Sequence, residues 1–199
     1  VNAKAVELAI ATDLALQCEI DQGTKFDRKN YPYPDLMKGY QISQYDKPIA
    51  RCGILEVKVD GLTKPIRINR VHMEEDVAKL SHSQGGGESS YSLLDINRAG
   101  IPLMEIVSEP DLRSPEEARS YLISLRSILQ YIGVSTANME EGNFRCDANI
   151  SLTEFSDKEL GSKVEIKNMN SFKAVYEALQ YEIKRQTKLK DSNERIMSE

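Results

Sequence analysis

A lone glutamate stands inside an apolar stretch, Leu103-Met104-Glu105-Ile106-Val107. A carboxylate drawn out of water with such neighbours costs several kcal/mol, roughly, unless a cation, a metal or a proton compensates it. A second acidic group, Glu74-Glu75-Asp76, follows an extended run ending Val71-His72-Met73. Carboxylates on strands, in a chain with two histidines and three cysteines, point to a hard, oxygen-loving ion such as Mg²⁺ acting on a phosphate substrate. The alternative is a structural pair in which Glu105 neutralises a nearby Arg or Lys. Further along, Arg145, Asp147 and Asn149 alternate in sequence and share one face of a strand. Arg, Asp and Asn in register can hold phosphate oxygens, a metal and a carbonyl. They can equally face solvent, with Asp147 balancing the neighbours of Arg145. Lys25, Arg28 and Lys29 can neutralise phosphates or form a basic surface turn. His72 reads as a core or surface histidine before a ligand, and Glu140-Glu141-Gly142 as an exposed loop.

Several chemistries lack their residues. Gly85-Gly86-Gly87 has no following lysine and hydroxyl, so it is no P-loop. No G-x-G-x-x-G follows a strand, and no G-x-S-x-G elbow exists. The cysteines, Cys18, Cys52 and Cys146, have no CxxC spacing and are expected to be reduced, mostly buried thiols. With only His72 and His82 to add, a zinc site is not expected. The formal net charge of −5 excludes a chain-wide electrostatic glove for nucleic acid, so any RNA contact is local or made elsewhere. No apolar run approaches the roughly 20 residues that span a bilayer, and no secretory signal is expected. Phosphoryl transfer, with carboxylate ligands and Arg or Lys clamps on a sheet, fits these residues best.

Elements that must carry these groups follow from pattern. A helix is expected from about Val1 to Ile20, uncapped, with Val6, Ile10, Leu14 and Leu16 inward. Tyr31-Pro32-Tyr33-Pro34 cannot be helical, and Tyr40–Ser43 resembles a short strand. Leu55, Val57 and Val59 alternate up to Asp60-Gly61, a favoured hairpin turn, and Ile66 and Ile68 return. The apolar face then switches, which predicts a bulge near Asn69-Arg70. Residues 81–90 read as a flexible loop, and strands are expected from Tyr91 and around Glu105. Ser114-Pro115-Glu116-Glu117 opens a helix with a capping box, and Gly133 ends it. Residues 144–152 form a strand paired with Val164 and Ile166. Asn170 or Ser171 caps a last helix. Hairpins dominate, so the class is α+β, a mostly antiparallel sheet with flanking helices.

Longer blocks now stand out. Lys25-Phe26-Asp27-Arg28-Lys29-Asn30-Tyr31, Tyr40-Gln41-Ile42-Ser43-Gln44, His72-Met73-Glu74-Glu75-Asp76, Pro102-Leu103-Met104-Glu105-Ile106-Val107-Ser108-Glu109-Pro110-Asp111, Met139-Glu140-Glu141-Gly142, Arg145-Cys146-Asp147-Ala148-Asn149-Ile150-Ser151 and Glu165-Ile166-Lys167-Asn168 occur in that order. Together they resemble the B subunits of aspartyl/glutamyl-tRNA amidotransferases, over about residues 1 to 190. The resemblance implies a ligase that uses ATP to phosphorylate the side-chain carboxylate of Glu on tRNA(Gln) or Asp on tRNA(Asn). Ammonia made from glutamine by an amidase A subunit then forms the amide, and a small C subunit completes a heterotrimer. It implies ATP and Mg²⁺ as cofactors, a fold similar to the catalytic domain of glutamine synthetase, and a cytoplasmic setting, organellar in a eukaryote, without membrane attachment. Glu75 and Glu105 match the family's magnesium ligands, and Lys29 and Lys38 match polar residues of the ammonia path. Lys29 joins Glu75 and Glu105 as a candidate catalytic residue. A nucleotide role for Arg145, Asp147 and Asn149 rests on chemistry alone.

The family pattern begins with a strand carrying Gly-Leu-Glu-Val-His and continues into helical and tail domains that hold tRNA. Residues 1–199 are therefore expected to be a partial catalytic cradle domain, which alone binds Mg²⁺-ATP weakly and forms no amide. The competing expectation is a non-catalytic module that scaffolds the complex or binds tRNA.

Overall fold

The computed structural model describes residues 1–82, 91–153 and 160–197. They form an α+β structure in which every assigned strand pairing is antiparallel. The chain divides into two compact units, one of Val1–Ile54 with Arg67–Pro110, the other of Leu55–Ile66 with Asp111–Glu199.

The first unit opens with α1 (Ala3–Ala15), capped by Asn2, whose side chain accepts the Lys4 N–H at 2.9 Å. The helix is shorter than its pattern predicts. Gln17 takes a left-handed φ of 56°, Cys18 N–H donates to the Asp13 carbonyl, and Gln17 N–H donates to that of Leu14. That pair of bonds is the Schellman ending, and it releases Glu19–Ile20 as strand β1. The buried face also differs from the expected one. Ala9, Thr12, Asp13 and Leu16 are buried at helical spacing, while Leu14 is 64% exposed.

Strands β2 (Asp27–Asn30) and β3 (Tyr40–Ser43) form a ribbon in which Lys29 faces Gln41 and Asp27 faces Ser43. Strands β4 (Ala50–Val59) and β5 (Leu62–Glu75) are joined by Asp60-Gly61, with φ of 51° and 78°. Positive φ at both positions is what a tight two-residue hairpin requires. Gly53 lets β4 pass the end of α1, because a side chain there would meet Cys18 Sγ and the Leu16 carbonyl. Cys52 shares the outward parity of Ile54 and Glu56 and is exposed, against the expectation of burial; all three cysteines are free. β6 (Lys79–His82) pairs with β7 (Ser92–Asp95), and β8 (Pro102–Ser108) pairs with β5. The sheet order is β1-β4-β5-β8, so β8 is an edge strand among the described residues.

The bulge lies where the pattern places it, between Ile68 and Arg70. It sets the faces of everything downstream. Ile66, Ile68, Val71 and Met73 are buried on one side, and Arg70, His72 and Glu74 turn to the other.

In the second unit, α2 (Pro115–Tyr131) is capped by Ser114, which accepts the Glu117 N–H at 3.1 Å. The Glu117 carboxylate reaches one residue further back than a capping box predicts, to Arg113 N–H at 2.7 Å, and also holds Lys64 at 2.7 Å. Ala118, Tyr121, Leu122, Leu125 and Leu129 form its buried stripe. β9 (Cys146–Ile150) pairs with β10 (Val164–Met169), and α3 (Phe172–Asp191) starts at a Ser171 cap. Of the expected loops, residues 83–90 and 154–159 lie outside the described residues. No helix among the described residues is long and apolar enough to cross a membrane.

Candidate functional site

Register brings the site together. His72 lies directly opposite Glu105, Glu74 opposite Leu103 and Arg70 opposite Val107, so all these side chains share one face of the β5–β8 pair. His72 Nε2 is 3.3 Å from Glu74 Oε1 and 3.6 Å from Glu105 Oε2. One ligand atom from each of the three lies within 4.8 Å of the others.

The three groups differ in exposure. The His72 and Glu74 side chains are 5% and 7% exposed, and Glu105 is 51% exposed. Its apolar flanks predict burial for Glu105, and the structure corrects that. Its strand runs along the sheet edge, and alternation sends Met104 and Ile106 to the opposite face, so the glutamate keeps its water. The buried carboxylate of the site is Glu74. Ser43 Oγ donates to it at 2.7 Å and Gln41 Nε2 at 3.4 Å. Burial alone would raise its pKa, but the bonds from His72 and Ser43, with the charges of His72 and Lys29, hold it below the ordinary carboxylate value. Lys29 therefore acts on this centre through Glu74, from the face of the β2–β3 ribbon that carries Gln41 and Ser43.

Glu75 goes elsewhere. It is three residues from His72, so the strand turns it away from Glu105. Its carboxylate pairs with Lys38 Nζ and accepts the Ile42 N–H at 2.9 Å. Burial raises its pKa and is outweighed by those two bonds and the Lys38 charge, so the net shift is downward. The structure thus groups Glu74, not Glu75, with Glu105. Lys38 also lies 4.8 Å from the Tyr40 ring centre, and Arg28 lies 4.6 Å from it. Asp35, Lys38, Tyr40, Glu75 and Asp76 line a narrow cleft of about 20 Å³. Lys25 is held by Asp27 at 3.1 Å and Asp46 at 2.9 Å, an ion-paired surface turn.

Arg145, Asp147 and Asn149 lie in the second unit and alternate as expected, all three exposed, between half-buried Phe144, Cys146, Ala148 and Ile150. Partial desolvation raises the Asp147 pKa; Lys167 and Arg145 oppose that and Glu165 adds to it. Glu140 and Glu141 are exposed in a turn.

His72 and Glu74 are the candidate site residues that the sequence pattern ranks below Glu75 and Glu105. The signal is present in the sequence: a bulge at Asn69-Arg70 shifts parity, which puts Arg70, His72 and Glu74 on one face. The donor set suits a divalent cation. Ligands at neighbouring positions of an octahedral Mg²⁺ or Mn²⁺ lie about 3 Å apart when each is about 2.1 Å from the ion. The two imidazole–carboxylate distances need little adjustment to meet that, and the imidazole shifts preference toward the softer of these ions.

Fold and site describe an α+β protein with a carboxylate–imidazole centre on one face of an antiparallel strand pair, with His72 and Glu74 buried and Glu105 exposed. The chain belongs to the family described as the GatB/GatE catalytic domain, whose model matches residues 1–198. It is 62% identical over 199 residues to the B subunit of the aspartyl/glutamyl-tRNA(Asn/Gln) amidotransferase of Dehalococcoides mccartyi, covering 100% of this chain and 40% of that protein. The like-named proteins of Carboxydothermus hydrogenoformans and Brevibacillus brevis are 57% and 54% identical over 198 residues, covering 100% of this chain and 41% of each. The chain spans about two fifths of the length of these relatives.

Proposed function

We propose that these residues form the phosphorylating centre of the B subunit of an aminoacyl-tRNA amidotransferase, a carbon–nitrogen ligase. The single observation that carries this reading is the meeting of His72, Glu74 and Glu105 on one strand pair, in a chain so similar to proteins of that name. The substrates would be ATP and Glu-tRNA(Gln) or Asp-tRNA(Asn). A carboxylate oxygen of the aminoacyl side chain attacks the γ-phosphorus, the β–γ bridging P–O bond breaks, and ADP leaves. Ammonia then attacks the acyl carbon, the C–O bond to phosphate breaks, and the proton shed by nitrogen passes to solvent or base. The product is Gln-tRNA(Gln) or Asn-tRNA(Asn).

Glu74, Glu105 and His72 would hold Mg²⁺, and the ion would draw charge from the transferring phosphoryl group. Ser43 and Gln41 orient Glu74, and Lys29 helps to keep its carboxylate ionised. Lys29 and Lys38 would line the ammonia path, with Lys38 held by its ion pair to Glu75. Arg145, Asp147 and Asn149 would serve the nucleotide. An amidase A subunit, a small C subunit and the mischarged tRNA would be the partners, and the wider fold would resemble the glutamine synthetase catalytic domain. Against the scaffold alternative stands the openness of Glu105, which no arginine caps among the described residues.

The test is Glu105→Gln in the assembled enzyme. ATP-dependent phosphate release is expected to vanish while glutamine hydrolysis by the partner persists at some level. Normal phosphate release would remove Glu105 from the mechanism.

A further inference from the structure

Arg70 is a further charged group on the face of His72, Glu74 and Glu105. The bulge puts it there; without it, the parity of Ile68 would carry Arg70 into the core. Its guanidinium is half-buried yet poorly matched. Among the described residues Nε is buried without a partner, and Nη1 reaches only the Asn69 side-chain oxygen next door, at 3.4 Å. Across the strand pair Arg70 is diagonal to Glu105, within reach of a long side chain, yet no ion pair joins them among the described residues. Glu74 and Glu105 carry two negative charges beside an imidazole. A divalent cation would balance them, and Arg70, with the Lys29 charge that acts on Glu74, would then leave the centre net positive. A buried donor without an acceptor costs stability, and an oxyanion bridging cation and guanidinium would remove that cost.

We propose that Arg70 is the anion-binding arm of this centre, taking a phosphoryl oxygen of the nucleotide whose charge the cation shares. This rests on the phosphorylating role proposed above and assigns the guanidinium a substrate contact there. The planar fork matches a phosphoryl group in a way an ammonium does not.

The experiment uses the full-length protein assembled with its partners. Mn²⁺ binding is followed by electron paramagnetic resonance, Mn²⁺-ATP and adenosine binding by calorimetry, and folding by thermal melting. Arg70→Gln is expected to bind Mn²⁺ within about twofold of the parent and adenosine unchanged, and Mn²⁺-ATP at least tenfold more weakly; one lost bidentate contact is of that order. Arg70→Lys is expected to recover only part of the loss. An Arg70→Gln protein with parental melting and parental Mn²⁺-ATP affinity overturns the proposal and leaves the cation centre standing. Should Arg70→Gln melt early, Arg70→Lys decides: parental affinity overturns the proposal, and a fivefold or greater loss upholds it. A parent that binds no Mn²⁺-ATP, or a Glu105→Gln protein that binds Mn²⁺ as the parent does, overturns the phosphorylating reading itself.

Discussion

Two carboxylates in the first unit are both withdrawn from water and behave in opposite ways. Glu74, on β5, accepts bonds from Ser43 and Gln41 and sits against His72, and its pKa is held down. Asp13, on α1, is fully buried with no partner for either carboxylate oxygen among the described residues, and burial pushes its pKa up to about 7. It also helps to raise the Cys18 thiol to about 12, behind burial itself. The donors around a group, not its depth, decide whether it keeps a charge. Glu74 is arranged to be an anion and is therefore fit to hold a cation. Asp13 is arranged to be half neutral near pH 7, which suits packing and not ligation.

The largest effect should come from removing the supported carboxylate. Glu74→Ala strands the Ser43 hydroxyl and the His72 imidazole in a closed space and should cost about 3–5 kcal/mol in urea unfolding. Glu105→Ala, at an exposed edge, should cost less than about 1 kcal/mol. Both should weaken Mn²⁺ binding severely. If Glu74→Ala is as mild as Glu105→Ala, the donors do not support Glu74 as described.

Asp13 should show the reverse dependence on pH. Its native pKa of about 7 lies above the ordinary 3.8, so between those values the native state holds a proton that the unfolded chain has lost. Stability from this group is therefore greatest below pH 4 and declines as pH rises to about 7. Asp13→Asn removes that slope. Its stability relative to the parent should climb by about 2–3 kcal/mol from pH 5 to pH 8. The Glu74 contribution has the opposite sign: its pKa is lowered, so it is present above the ordinary carboxylate range and disappears in acid. A constant difference between Asp13→Asn and parent would mean that Asp13 has a partner in solution.

The same contrast explains what pattern could reveal. The hairpin at Asp60-Gly61, the bulge before Arg70, the Ser114 cap and the alternation through Arg145, Asp147 and Asn149 are local, fixed by neighbours in sequence. The α+β class follows from them. The depth of Glu105 is misjudged from pattern because apolar flanks in a strand speak for the opposite face, and edge position depends on sheet order. The inward face of α1 is misjudged because Ala9, Thr12 and Asp13 are small or polar, while Leu14, the conspicuous residue, points out. Pairing Glu75 with Glu105 fails for want of register: one residue of difference reverses the face. The acidic strand site is legible as a place, and its members are legible only once the bulge is carried through the parity.

Glu75 is the intermediate case and gives the smallest effect. It has two donors, Lys38 and the Ile42 N–H, and only the first is removable by substitution. Lys38→Met should leave the carboxylate with burial and a single bond, so its pKa should climb toward the behaviour of Asp13. Lys38 is 45% exposed, and the pair is worth no more than about 1 kcal/mol. That small contribution belongs to a lowered pKa, so it is present at neutral pH in the parent and fades in acid. Mn²⁺ affinity should be unchanged, because Glu75 faces away from His72, Glu74 and Glu105. Titration of the Glu75 carboxyl by NMR and Mn²⁺ binding measured on the same variant test both statements. A loss of Mn²⁺ affinity comparable to that of Glu74→Ala would place Glu75 in the cation centre and erase the division of labour between the two adjacent glutamates.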